Sequence, residues 1–119
     1  MNRQKVDADA VLRRWQRCAG KVLAEFLADS EKRGLPPLLW TLSQAGHLTG
    51  EADALSYTPD ERRAAVLRWA EHVGSPIEVS HTTDGREELV AMWQIVPRGE
   101  TAPVPGCFRA TSPLNEENT

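Results

Sequence analysis

The sequence predicts an α+β fold: an N-terminal helix followed by a ββαββ unit, a four-stranded antiparallel sheet with helices packed on it. Three observations carry this. A helix with clear start and stop signals lies mid-chain, strand-like segments flank it in pairs, and a long amphipathic stretch precedes them all.

The mid-chain helix opens at Thr58-Pro59-Asp60-Glu61. This is a capping-box pattern, in which the Thr58 hydroxyl accepts from the N3 amide and Glu61 reaches back to the Thr58 amide. Pro59 falls at N1, where its missing N–H costs nothing, and two carboxylates sit at the positive end of the helix dipole. Val66, Trp69, Ala70 and Val73 repeat at helical spacing and turn one stripe toward a core. Gly74 suits the left-handed C′ position, and Pro76 prevents the helix from resuming.

Before that helix, Pro36-Pro37 forces an extended backbone into Leu38–Ser43, with Leu38, Trp40 and Leu42 alternating as in a half-buried strand. Gln44-Ala45-Gly46 makes a turn. The chain returns through residues 47–54 with Leu48, Gly50, Ala52 and Ala54 on one side, small enough for a helix to approach, and Gly50 marking a candidate bulge. After the helix, Ile77 and Val79 start a third strand. Asp84-Gly85 signals a two-residue type I′ hairpin that sets Val79 opposite Val90 and Ile77 opposite Met92. The fourth strand, Leu89 to Val96, is apolar on both faces, which predicts a central position or a cover on its second side, either the N-terminal helix or a partner.

The N-terminal stretch, Asp7 to Lys32 with Asp7 or Asp9 as candidate N-cap, places Leu12, Trp15, Ala19, Val22 and Phe26 three and four residues apart. Leu23 and Leu27 widen that seam into a packing face. About two heptads are too few to specify a free-standing coiled coil. The opposite face carries Arg13, Arg14, Arg17 and Lys21, without interleaved aromatics to stack on bases. From Pro97 the pattern changes: Pro97, Gly99, Pro103, Pro105, Gly106 and Pro113 punctuate a polar end. It reads as a largely disordered tail in which only Cys107-Phe108 offers to pin it to the domain. The organisation expected is thus a helix over residues 1–33, an α+β core over 34–97 and a Pro-rich tail over 98–119.

Composition narrows the function classes. The 119 residues carry a formal charge of −3. The sign is uneven, with eight Lys or Arg against five Asp or Glu up to Arg33, and six against twelve beyond it. No apolar run approaches the ~18 residues of a membrane helix, and the first thirty residues lack an apolar h-region, so neither a membrane span nor a secretory signal is expected. Cys18 and Cys107 are too few for a disulfide framework and too far apart for a metal knuckle. A reduced cytoplasmic setting follows, and many Arg and Ala beside three Lys and two Ile suggest a GC-rich bacterial genome.

The chemistry-bearing residues do not converge. His47, His72 and His81 have no metal-ligand spacing, so neither a metal nor a cofactor is expected. Ser43, His47 and Asp53 form a triad only on paper, without a Gly-x-Ser-x-Gly elbow. Glu51, Asp53, Glu87 and Glu88 read as solubilising charges at strand edges rather than as an acid/base pair. No phosphate loop occurs. The chain is read as no enzyme. Of the four tryptophans, Trp40, Trp69 and Trp93 lie on apolar faces and are explained by core packing, whereas Trp15 is the least accounted for.

Leu35-Pro36-Pro37-Leu38-Leu39-Trp40-Thr41-Leu42, then Gly46, Leu48-x-Gly50 and the helix end Trp69-Ala70-x-x-Val73-Gly74, resembles a pattern in small uncharacterised α+β proteins of streptomycetes and their phages or mobile elements. The likeness spans residues 35–96, implies an actinobacterial cytoplasmic setting and brings no catalytic residues. The expected function is therefore a non-enzymatic protein-binding or regulatory module acting through the N-terminal helix and the sheet surface. Leu12, Trp15, Val22 and Phe26 are its candidate contacts with another protein or a second copy. The alternative is a nucleic-acid-associated regulator using Arg13, Arg14, Arg17 and Lys21, the weaker reading given the net negative charge.

Overall fold

The computed structural model describes residues 3–113. Its elements run α1 (Arg3–Arg33), β1 (Leu39–Leu42), β2 (Leu48–Glu51), α2 (Pro59–Val73), β3 (Glu78–His81), β4 (Arg86–Ile95) and β5 (Val104–Pro113). The α+β class and the leading helix are as expected. The sheet differs: it has five strands, ordered β1-β2-β5-β4-β3, and β2 and β5 run parallel while the other neighbours are antiparallel.

The fifth strand comes from the segment read as a disordered tail, and it occupies the middle of the sheet. Val104, Gly106, Phe108 and Ala110 alternate inward along it and are all buried. Its prolines avoid the part of the strand that is paired on both sides. Pairing with β2 covers only Gly106 to Arg109, so Pro105 and Pro113 fall outside it, where a missing N–H is tolerated. The end read as polar tail, residues 114–119, lies outside the described residues.

The caps of α2 follow the sequence: Thr58 accepts from the Glu61 amide, Glu61 Oε1 accepts from the Thr58 amide at 2.9 Å, and Gly74 takes φ 74°. Helix α1 begins at Arg3, upstream of both Asp7 and Asp9, which therefore lie inside it rather than at its cap. It stops at Gly34, φ 68°, where the Leu35 amide reaches back to the Ser30 carbonyl at 3.2 Å. Between β3 and β4 the loop is one residue longer than expected. The Thr82 amide bonds the Arg86 carbonyl and Gly85 holds φ 85°, the pattern of a three-residue loop with glycine in the left-handed position. Val79 is consequently opposite Leu89 rather than Val90, on the other face of the sheet from the one expected.

Both helices pack on one face. Phe26 of α1 sits at the centre of an aromatic cluster, with ring centroids 5.5 Å from Trp40, 5.4 Å from Trp69, 5.2 Å from Trp93 and 5.6 Å from Phe108. Two strand glycines make room for this cluster. A Cβ on Gly50 would stand 2.6 Å from the Trp40 ring, and one on Gly106 would overlap Trp93 and the Leu48 carbonyl. Gly50 is therefore a seat for an indole, not a bulge. For β4 a central position or a cover on its second face was expected: it lies between β5 and β3, and its second face has no helix over it among the described residues. There Thr41, Thr49, Cys107 and Met92 form a row across four strands, and Met92 is 64% exposed.

Candidate protein-docking surface

The apolar stripe of α1 divides at Cys18. Below it, Cys18, Ala19, Val22 and Phe26 are buried in the domain's own core. Above it the same stripe continues through Leu12 and Trp15, yet every residue from Asp7 to Arg17 is at least partly exposed, and Val11 and Trp15 each show 43% of their surface. At ~1.5 Å per residue, a 31-residue helix reaches ~46 Å, longer than the ~33 Å of the longest strands. The molecule's longest extent of 57 Å accommodates such an overhang.

The four predicted contacts thus separate. Val22 and Phe26 belong to the core and are closed to a partner, because the sheet itself covers that end of the stripe. Leu12 is partly exposed and Trp15 is open. Trp15 is also where the helix leaves the domain. Gly46, at the β1–β2 turn with φ 80°, packs so closely that a Cβ there would lie 2.7 Å from the Trp15 Cβ and carbonyl oxygen. Beside it, Gln16 Nε2 donates to the Ser43 carbonyl at 3.4 Å. The backbone and Cβ of Trp15 are therefore packed on the turn, while 43% of the residue stays exposed.

The basic face is partly committed within the molecule. Glu100, in the β4–β5 connection with its side chain only 9% exposed, accepts from Arg17 at 2.8 and 3.2 Å and from Lys21 at 2.6 Å. Hydrogen bonds from Arg17 and then Lys21 hold its pKa at about 2, and Cys18 Sγ lies 3.4 Å from the same carboxylate. Arg13 and Arg14 remain exposed. At the other end of α1, Asp29 lies 2.8 Å from His72 Nε2, and Arg68 Nη1 donates to the Gly34 carbonyl at 2.9 Å, tying α1 to α2. The buried length of α1 is therefore clamped at both ends.

The histidines and carboxylates stay apart. His72 is engaged with Asp29, while His81 lies exposed on the edge strand β3. His47 borders a shallow groove of about 260 Å³ with Met92, Gln94 and Pro105. Ser43 Oγ accepts from the His47 backbone amide, while Asp53 lies past the far end of β2, so the three form no triad. Glu87 is bound by Arg63 Nε at 3.1 Å. Among the described residues no three His, Cys, Asp or Glu cluster to hold a metal, and no helix is long and apolar enough to cross a membrane.

Two features escaped the sequence reading. Glu100 gave no local signal, since its partners lie about eighty positions away. A second group, around Arg109, sits on β5, whose inward alternation of Val104, Gly106, Phe108 and Ala110 was the available sign of a strand. No family model, curated protein or solved structure was found to match this chain.

Proposed function

We propose that this protein is a non-enzymatic binding module that docks on another protein, or on a second copy of itself, through the overhanging half of α1. One observation carries the reading: a single helical stripe is buried at Cys18, Ala19, Val22 and Phe26 but partly or largely exposed before them, where it presents Leu12 together with Val11 and Trp15. A partly exposed tryptophan whose backbone is packed on the turn suits an interface anchor, because its large rigid surface loses little conformational entropy on burial. Apolar residues three and four apart are what a helix-in-groove or helix-to-helix contact reads. The engagement of Arg17 and Lys21 by Glu100 leaves less of the basic face for phosphates and favours the protein-docking reading over the nucleic-acid one. The two cysteines are free thiols, in keeping with a cytoplasmic setting.

The test is site-specific photo-crosslinking in the protein's own host. A photoreactive residue replaces Val11 in one variant and Arg13, on the opposite side of the helix, in another. The expected result is a discrete adduct from position 11, with the chain itself or with one other protein, and none from position 13. Equal labelling from both positions, or none from position 11, would remove the docking assignment.

A further inference from the structure

Where β2 leaves the sheet, a cleft of about 320 Å³ opens that no docking role for α1 uses; it is lined by Glu51, Asp53, Arg62, Arg86, Arg109 and Thr111. Three arginines line it from three elements: Arg62 from the first turn of α2, Arg86 from the start of β4 and Arg109 from β5. Arg62 is only 3% exposed. Arg86 is tethered by Asp84 at 3.0 Å.

Arg109 is the decisive residue. Its side chain is partly buried and its Nε is fully buried without a hydrogen-bond partner. Glu51 is its direct neighbour across the parallel ladder, yet no ion pair joins the two among the described residues. A guanidinium is always charged, so Arg109, which has no ion pair among the described residues, can take an anionic acceptor on the part of its side chain that lines the cleft, while its sealed Nε stays out of reach. Arginines from separate elements around one cleft, with a threonine in the same lining, form the donor set that recognises a phosphate group. The cleft is larger than one phosphate. Its remaining wall carries the carboxylates of Glu51 and Asp53, which accept from hydroxyl groups and repel a second anion.

We infer that this cleft binds the phosphate monoester of a small hydroxylated molecule, the phosphate on Arg109 and Arg86 and the hydroxyls on Glu51 and Asp53. The site is independent of the α1 surface, and its failure would leave the docking proposal intact.

Isothermal titration calorimetry at fixed ionic strength tests this on the full chain, with ribose 5-phosphate, inorganic phosphate and ribose as probes. The expected result is saturable binding of ribose 5-phosphate, weaker binding of inorganic phosphate and none of ribose. Arg109→Gln should weaken the sugar phosphate roughly 10- to 100-fold, the effect of removing a charged hydrogen bond. Arg86→Gln, a change at an exposed position, provides a second variant whose fold is not at stake and should weaken it in the same direction. Circular dichroism checks that both variants are folded. The absence of saturable heat from both phosphates with the unaltered protein would overturn the inference. So would affinity unchanged in folded Arg109→Gln and Arg86→Gln.

Discussion

At the scale of single residues, the core is defined by how its indoles are seated. Trp69 is fully buried and its Nε1 donates to the Pro36 carbonyl at 2.7 Å. Trp93 is 7% exposed, and its Nε1 is buried without a partner. Replacing either by phenylalanine removes similar volume, so the cavity terms are comparable. The polar terms differ: Trp69→Phe breaks a hydrogen bond and strands a carbonyl, whereas Trp93→Phe removes an N–H that has no partner to lose. Trp69→Phe should therefore cost about 1–3 kcal/mol more than Trp93→Phe in urea denaturation. Equal losses would show that the Pro36 bond contributes nothing net. The same seating explains why glycine stands at 106: a side chain there would meet both the Trp93 ring and the Leu48 backbone, and a backbone obstacle cannot swing aside.

At the scale of elements, what was legible followed from local rules. The α2 boundaries were written in Thr58, Pro59, Glu61 and Gly74, residues whose effect lies within one turn, and the structure keeps each in its expected role. The amphipathic period of α1 was equally local and located the buried part of its stripe at Ala19, Val22 and Phe26, although Leu27, counted in the same face, is exposed. The division of that stripe into core and overhang was not legible, because it depends on where the β1–β2 turn meets Trp15. The β3–β4 register was missed for a subtler reason. Asp84-Gly85 suits both a two-residue loop and the end of a three-residue one, and Thr82, bonded to Arg86 at both backbone and hydroxyl, selects the second. The junction between α1 and the β4–β5 connection also makes a prediction. Glu100 is held at a pKa of about 2 in the folded protein against 4.5 ordinarily. A depressed carboxylate pKa contributes stability that is complete above the unfolded value and is lost as pH falls through the folded one. The melting-temperature gap between wild type and Glu100→Gln should thus be largest near pH 7 and shrink between about pH 4.5 and pH 2. A gap independent of pH over that window would mean the Arg17 and Lys21 contacts do not stabilise the fold.

At the scale of the whole molecule, the organising strand is the last one. The sequence around Val104–Pro113 reads as tail because proline and glycine dominate it, and no local rule reveals that its partners are β2, 58 residues upstream, and β4, 9 to 27 residues upstream. Parallel pairing to β2 requires a long crossover through α2, β3 and β4, a topological fact that periodicity does not encode. Its consequence is sharp. In the sequence reading, a chain ending at Arg98 keeps a complete four-stranded domain. In the structure, that truncation removes the strand between β2 and β4, with ten register pairs on one side and four on the other. It also removes Phe108 from beneath Phe26, Trp69 and Trp93. Loss of a buried phenylalanine alone costs about 3–5 kcal/mol, against a total stability of about 5–15 kcal/mol for a domain of this kind. Two strand edges are left unpaired in addition. The full chain should unfold in urea as one cooperative transition monitored by tryptophan fluorescence, and the chain ending at Arg98 should show no transition at all. A sigmoidal curve for the truncation, with the slope of the full chain, would mean that β5 is an accessory to the fold. An intermediate slope would place β5 in the sheet but outside the cooperative core, because the slope scales with the surface exposed on unfolding.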